Sequence, residues 1–145
     1  MEIKIKKLNE QAKIPSFGTE FSAGADLYSA ENCEITIYSG QKYSIGTGIS
    51  MEIPKGFVGL VFPRSGLACK NGLRLCNSVG VIDSDYRGEI KVFLYNDSEC
   101  AREIKPGERI AQMIIMPYPN ITFTEVESLS ETVRGESGFG GTGRF

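Results

Sequence analysis

Two aspartates two residues apart, Asp83 and Asp85, stand in the polar segment GVIDSDYRGE at 80–89. They follow the apolar pair Val81-Ile82 and precede an apolar strand pattern that begins near Glu89. In an extended loop the two acids share one face, and one of them can be aimed into a pocket. An aspartate is ionised at neutral pH, so it can orient a water and take up part of its proton. It is a weak base, and the larger part of any catalysis must then come from charge neutralisation elsewhere. Tyr86 suits either a core or a pocket wall, and the plain structural alternative for the segment is an acidic turn.

The neutralising groups lie in other segments. FPRSGLA at 62–68 follows a strand pattern. Pro63 fixes the approach, Arg64 offers a guanidinium fork, and Ser65 with Gly66 offers a hydroxyl and two N–H groups, as an anion site would. SAGADLYSA at 22–30 sets Asp26 between a glycine turn and an apolar run. Gln112 interrupts the apolar strand IAQMII, where its amide needs partners in the core, at an interface or on a ligand. The last twelve residues, RGESGFGGTGRF, hold five glycines, two arginines, two phenylalanines and a threonine. That composition suits a flexible arm able to close over a ligand. Arg64, Ser65, Gln112, Arg134 and Thr142 seek phosphate, whereas Asp26 and Asp83 repel it. Such a mixture suits a phosphorylated ligand bridged by a hard divalent metal.

Several chemistries are excluded or weakened. With no histidine, neither imidazole base catalysis nor an HExxH zinc site is available. The four cysteines, Cys33, Cys69, Cys76 and Cys100, form no CxxC pair and read as ordinary reduced residues. GFGGTG at 138–143 matches a dinucleotide fingerprint and GESGFGGT at 135–142 nearly matches a phosphate loop. The chain ends before either could open a helix, so both matches fail in context.

The elements that must position these groups are short. A length of 145 residues suits one domain, and 16 basic against 18 acidic residues give no polyelectrolyte face for a nucleic-acid polymer. No run of 18 apolar residues spans a membrane, and the N-terminus shows no secretory h-region. The segments EIKIKK, CEITIY, KYSIGTGIS, GFVGLVF, GEIKVFLYN, RIAQMIIM and ITFTEVE each have the length and composition of a strand. Turn signals separate them, among them Ser39-Gly40, Pro54-Lys55-Gly56 and Lys105-Pro106-Gly107. SGLACKN at 65–71 allows a turn or two of helix, and Ser128 with Glu131 resembles a capping box that Gly135 soon stops. The expectation is an all-β domain over 1–133 and a flexible glycine-rich C-terminal arm over 134–145.

Five ordered segments carry a resemblance over almost the whole chain: AGADLYSA at 23–30, PRSGLA at 63–68, GVIDSDYRGE at 80–89, GERIAQMI at 107–114 and RGESGFGGTG at 134–143. Together they resemble the homotrimeric dUTPases. The resemblance implies a jelly-roll β-barrel and a homotrimer with active sites shared between chains. It implies hydrolysis of dUTP to dUMP and pyrophosphate with Mg²⁺, limiting uracil incorporation into DNA and supplying dUMP for thymidylate synthesis. It also implies a cytoplasmic protein, or one inside a host cell if viral. A deoxycytidine triphosphate deaminase of the same fold is the nearest rival, and PRSGLA with the glycine-rich arm favours simple diphosphohydrolysis.

Carried over residue by residue, the resemblance implies that Asp83 activates the water that attacks the α-phosphorus. Tyr86 would lie beneath the deoxyribose and leave no room for a 2′-hydroxyl. Asn77 and the backbone of Gly80, Val81 and Ile82 would recognise uracil. Arg64, Ser65, Gly66 and Gln112 would contact phosphates, and Arg134 would act as an arginine clamp. Phe139 would stack over uracil while Gly140, Gly141 and Thr142 hold the terminal phosphate. Asp26 would act on the metal's water shell or on site structure, with Mg²⁺ held mainly by the phosphates.

Overall fold

The computed structural model describes residues 1–138. Twelve strands build it: β1 (Lys4–Lys7), β2 (Ser16–Phe17), β3 (Ala25–Tyr28), β4 (Ile35–Ile37), β5 (Lys42–Gly46), β6 (Ile49–Glu52), β7 (Phe57–Phe62), β8 (Leu73–Leu75), β9 (Gly80–Ile82), β10 (Lys91–Asn96), β11 (Arg102–Ile104) and β12 (Arg109–Pro117). One helical turn, Gly66–Lys70, is wound as a π-helix. The all-β expectation holds. No helix among the described residues is long and apolar enough to cross a membrane.

All pairings are antiparallel. Two-stranded sheets join β1 to β6 and β4 to β11; β10 lies between β5 and β8; the largest sheet has the order β2-β3-β12-β7-β9. Alternation explains the strands. In β10, Val92, Leu94 and Asn96 turn inward while Lys91 and Phe93 face out. Leu27, Ile45 and Ile104 are fully enclosed at the centre of the core. Burying each such side chain stabilises the fold by roughly 1.5–3 kcal/mol. Asn96 is buried with its hydrogen bonds satisfied: its amide donates to the carbonyls of Ile37 and Cys100, both at 2.8 Å, and its oxygen accepts from Ser98.

Two sequence expectations change. KYSIGTGIS is two strands, β5 and β6, with a turn at Thr47-Gly48 between them. Gly48 has φ +64°, and a Cβ there would collide with Ala12 and Ala30, so both conformation and space require glycine. ITFTEVE is not a strand. Its alternation needs a partner edge, and no edge of this chain takes it among the described residues. The tether is the Tyr118 N–H donating to the Gly56 carbonyl at 3.0 Å. Every described residue from 116 onward is exposed, Phe123 to 91% and Leu129 to 87%. No helix follows Ser128, so its pairing with Glu131 caps nothing. The four cysteines are free and exposed.

Candidate active site

The five-stranded sheet places the phosphate-seeking groups. Asp26 on β3, Gln112 on β12 and Phe62 on β7 are direct cross-strand partners, so they stand in one row on one face. They border a cavity of about 480 Å³ with Arg64, Ser65 and Gly66. Arg64 and Ser65 enter because β7 ends at Phe62 and Pro63 turns the chain toward the helical turn. The Gln112 amide donates to the Pro63 carbonyl at 3.0 Å, tying β12 to that loop. Gly24 gives the amide room: a Cβ there would lie 2.6 Å from Gln112 Oε1.

Arg109 is the residue that sequence reasoning missed. It lines the same cavity and donates from Nη1 to Asp26 Oδ2 at 3.1 Å. Arg64 Nε forms an ion pair with the other oxygen, Oδ1, at 2.9 Å, and Arg64 Nη1 donates to the Arg109 carbonyl at 3.3 Å. Asp26, Arg64 and Arg109 therefore close a ring of contacts. Two guanidiniums against one carboxylate leave one positive charge in excess on the wall, which suits an anion. Asp26 is buried, so its charge requires such partners.

A β-bulge brings Arg109 there. Arg109 faces Tyr28, while Ala111, two residues on, faces Leu27, the very next residue of β3. Ile110 is the extra residue, and Ile110 and Ala111 both turn into the core. Without the bulge, Arg109 and Gln112, three apart, would point to opposite faces. Strict alternation hid Arg109, and its place beside Gln112 in GERIAQMI was the only hint in the sequence.

The second set of groups stands elsewhere. Val81, Ile82, Asp83 and Tyr86 line a cavity of about 250 Å³ with Glu89, Ile90, Lys91 and Phe93. β9 pairs with β7 so that Ile82 faces Gly59. Asp83 thus leaves β7 at one end and Arg64 at the other, roughly 15–20 Å apart along the strand. Asp83 also borders an open hollow of about 640 Å³, shared with Asp85, Arg87 and Tyr118. Asn77 and Gly80 line neither cavity. Asn77 sits in the turn before β9, beside Ser78, whose φ of 60° is a costly conformation for a non-glycine residue. Gly80 is the buried first residue of β9, facing Val61.

Arg134 reaches neither cavity and donates from Nε to the Ser137 carbonyl at 3.0 Å, within its own turn. Phe139, Gly140, Gly141 and Thr142 lie outside the described residues. Among the described residues no cluster of three or more Asp, Glu, Cys or His side chains could hold a metal ion. Asp26 is not free for one, because both its oxygens are engaged by arginines.

The chain is similar to known proteins over nearly its whole length. A family model described as dUTPase matches residues 10–143. The deoxyuridine 5′-triphosphate nucleotidohydrolase of Nautilia profundicola is 51% identical over 144 residues, covering 99% of this chain and 100% of that protein. The enzyme of the same name from Rickettsia bellii is 49% identical over 145 residues, covering 99% of this chain and 97% of that one. Among solved structures, the Staphylococcus bacteriophage 80alpha dUTPase, a G164S mutant with dUpNHpp, superposes with a TM-score of 0.90 at 29% identity, covering 98% of both chains.

Proposed function

The chain belongs to the dUTPase family and is a dUTP diphosphatase that converts dUTP to dUMP and pyrophosphate, and from this premise we propose how its residues divide the work. The carrying observation is that Asp83 and the arginine ring line separate cavities of one chain. Each is half a site. The nucleoside half, with Asp83 and Tyr86, is completed by the phosphate half of a second copy, and copies assemble as a homotrimer. The exposed apolar ribbon from 116 onward, with Ile121, Phe123, Val126 and Leu129, supports that reading, because such a surface is unfavourable in water.

In the assembled site the Asp83 carboxylate orients a water and takes its proton as the water oxygen bonds to the α-phosphorus. The bond from that phosphorus to the bridging oxygen breaks in line, and the electron pair leaves on pyrophosphate. Arg64 and Arg109 balance the charge on the departing group, and Ser65, Gly66 and Gln112 orient it. Ser65 is not a nucleophile, because no histidine exists to activate it. Gly80, Val81 and Ile82 of β9, with Asn77 in the preceding turn, take the uracil edge. The arm from Arg134, with Phe139, Gly140, Gly141 and Thr142, closes over the nucleotide of another chain's site.

Family membership implies a divalent metal, and Mg²⁺ suits a triphosphate. The described residues offer no protein cage for it, so the phosphates and water hold it, and Asp26 acts on site structure by fixing the two arginines. When bound, the ion supplies further neutralisation of phosphate charge. Hydrolysis in ¹⁸O-water tests the attack. The label is expected in dUMP, and label in pyrophosphate would place the attack on the β-phosphorus and end this reading.

A further inference from the structure

Gly88 is kept free of a side chain by space. It is exposed, and it is not among the glycines with positive φ, so the backbone would accept alanine. The Tyr86 ring folds back directly over it. A Cβ built on Gly88 would overlap the Tyr86 hydroxyl and ring carbon Cζ, and would meet Cε2 at 3.0 Å. The phenol is fixed there by donating to the Glu89 carbonyl at 3.1 Å. Glu89 is anchored in turn, its carboxylate accepting from the Gly48 N–H at 2.9 Å. The ring so held forms one wall of the cavity that also contains Asp83 and Phe93.

We propose that Gly88 is a positioning residue for sugar selection: its missing side chain lets Tyr86 lie flat against the backbone, at the depth that excludes a 2′-hydroxyl. The inference rests on Tyr86 being the wall beneath the deoxyribose. A methyl group at 88 lifts the ring off Glu89 and opens volume where the ring edge stood. The nearest atoms to a side chain at 88 all belong to the exposed Tyr86 ring, which can yield toward solvent, so the fold is expected to hold while discrimination changes.

The test compares wild type with Gly88→Ala, Tyr86→Ala and the double variant, measuring kcat/KM for dUTP and for UTP alongside the melting temperature. Gly88→Ala is expected to lower the preference for dUTP over UTP by roughly tenfold, with melting unchanged. In the Tyr86→Ala background the same change is expected to have no further effect on the ratio, because no ring remains to displace. If Tyr86→Ala shifts the ratio and Gly88→Ala does not, the inference is wrong and the reading of Tyr86 survives. If neither variant shifts it, Tyr86 itself is misread. Equal slowing of both substrates by Gly88→Ala, or a further drop in the double variant, overturns the positioning role. Failure of Gly88→Ala to assemble also overturns the inference, because the clash would then reach beyond the exposed Tyr86 ring.

Discussion

Asp83 and Arg64 flank opposite ends of β7, one beyond the residue paired with Gly59 and the other beyond Phe62, and they line different cavities. If the two halves meet between chains as proposed, a chain defective in one supplies the other. Asp83→Asn and Arg64→Gln proteins, each inactive alone, are expected to regain activity when unfolded, mixed and refolded together. With random mixing of equal amounts, roughly a quarter of sites would receive both intact groups. Activity that stays at the background of the two parents would show that both groups act within one chain.

Asp83→Asn keeps the shape of the side chain and removes its charge. Binding of a non-hydrolysable dUTP analogue should stay within about twofold, while kcat falls by ~10²-fold or more. Calorimetric binding with single-turnover kinetics separates the two effects, and normal turnover would remove Asp83 from the chemistry.

Removing Asp26 leaves two guanidiniums facing each other without their shared acid. Asp26→Ala should destabilise the fold by roughly 1–3 kcal/mol, less than a fully buried pair because both arginines reach solvent. It should also raise KM for dUTP, since Arg64 loses the contact that aims it. Arg109→Gln removes one positive charge and one contact, and should weaken competition by inorganic tripolyphosphate about tenfold while leaving deoxyuridine binding unchanged. An unaltered tripolyphosphate constant would take Arg109 out of the phosphate half.

The chain from Arg134 onward adds no burial in its described part. A protein ending at Val133 should keep its melting temperature and its molar mass as a trimer, yet lose most of its activity on dUTP. Unfolding of this truncated form would mean that the arm belongs to the core, and full activity would mean that it closes over nothing.

Much of this was legible in the residues. Length and composition pointed to strands at GEIKVFLYN and RIAQMIIM, and PRSGLA and GVIDSDYRGE each border a cavity of the structure. Three things were hidden, each for a physical reason. Thr47-Gly48 lies inside a β-branched, glycine-spaced run, and the φ of +64° at Gly48 marks the turn. ITFTEVE alternates as a strand should, but alternation says nothing about whether a partner edge belongs to the same chain. Arg109 was masked because a period of two assigns it to the face opposite Gln112.

The extra residue at Ile110 also explains how a strand can hold two polar groups on one side and still feed the interior. Without it Arg109, Ala111 and Gln112 would face Tyr28, Leu27 and Asp26 in unbroken succession, and the two polar groups would share a face by plain alternation. The inserted isoleucine thus contributes a further enclosed aliphatic group while leaving the hold on Asp26 where it was.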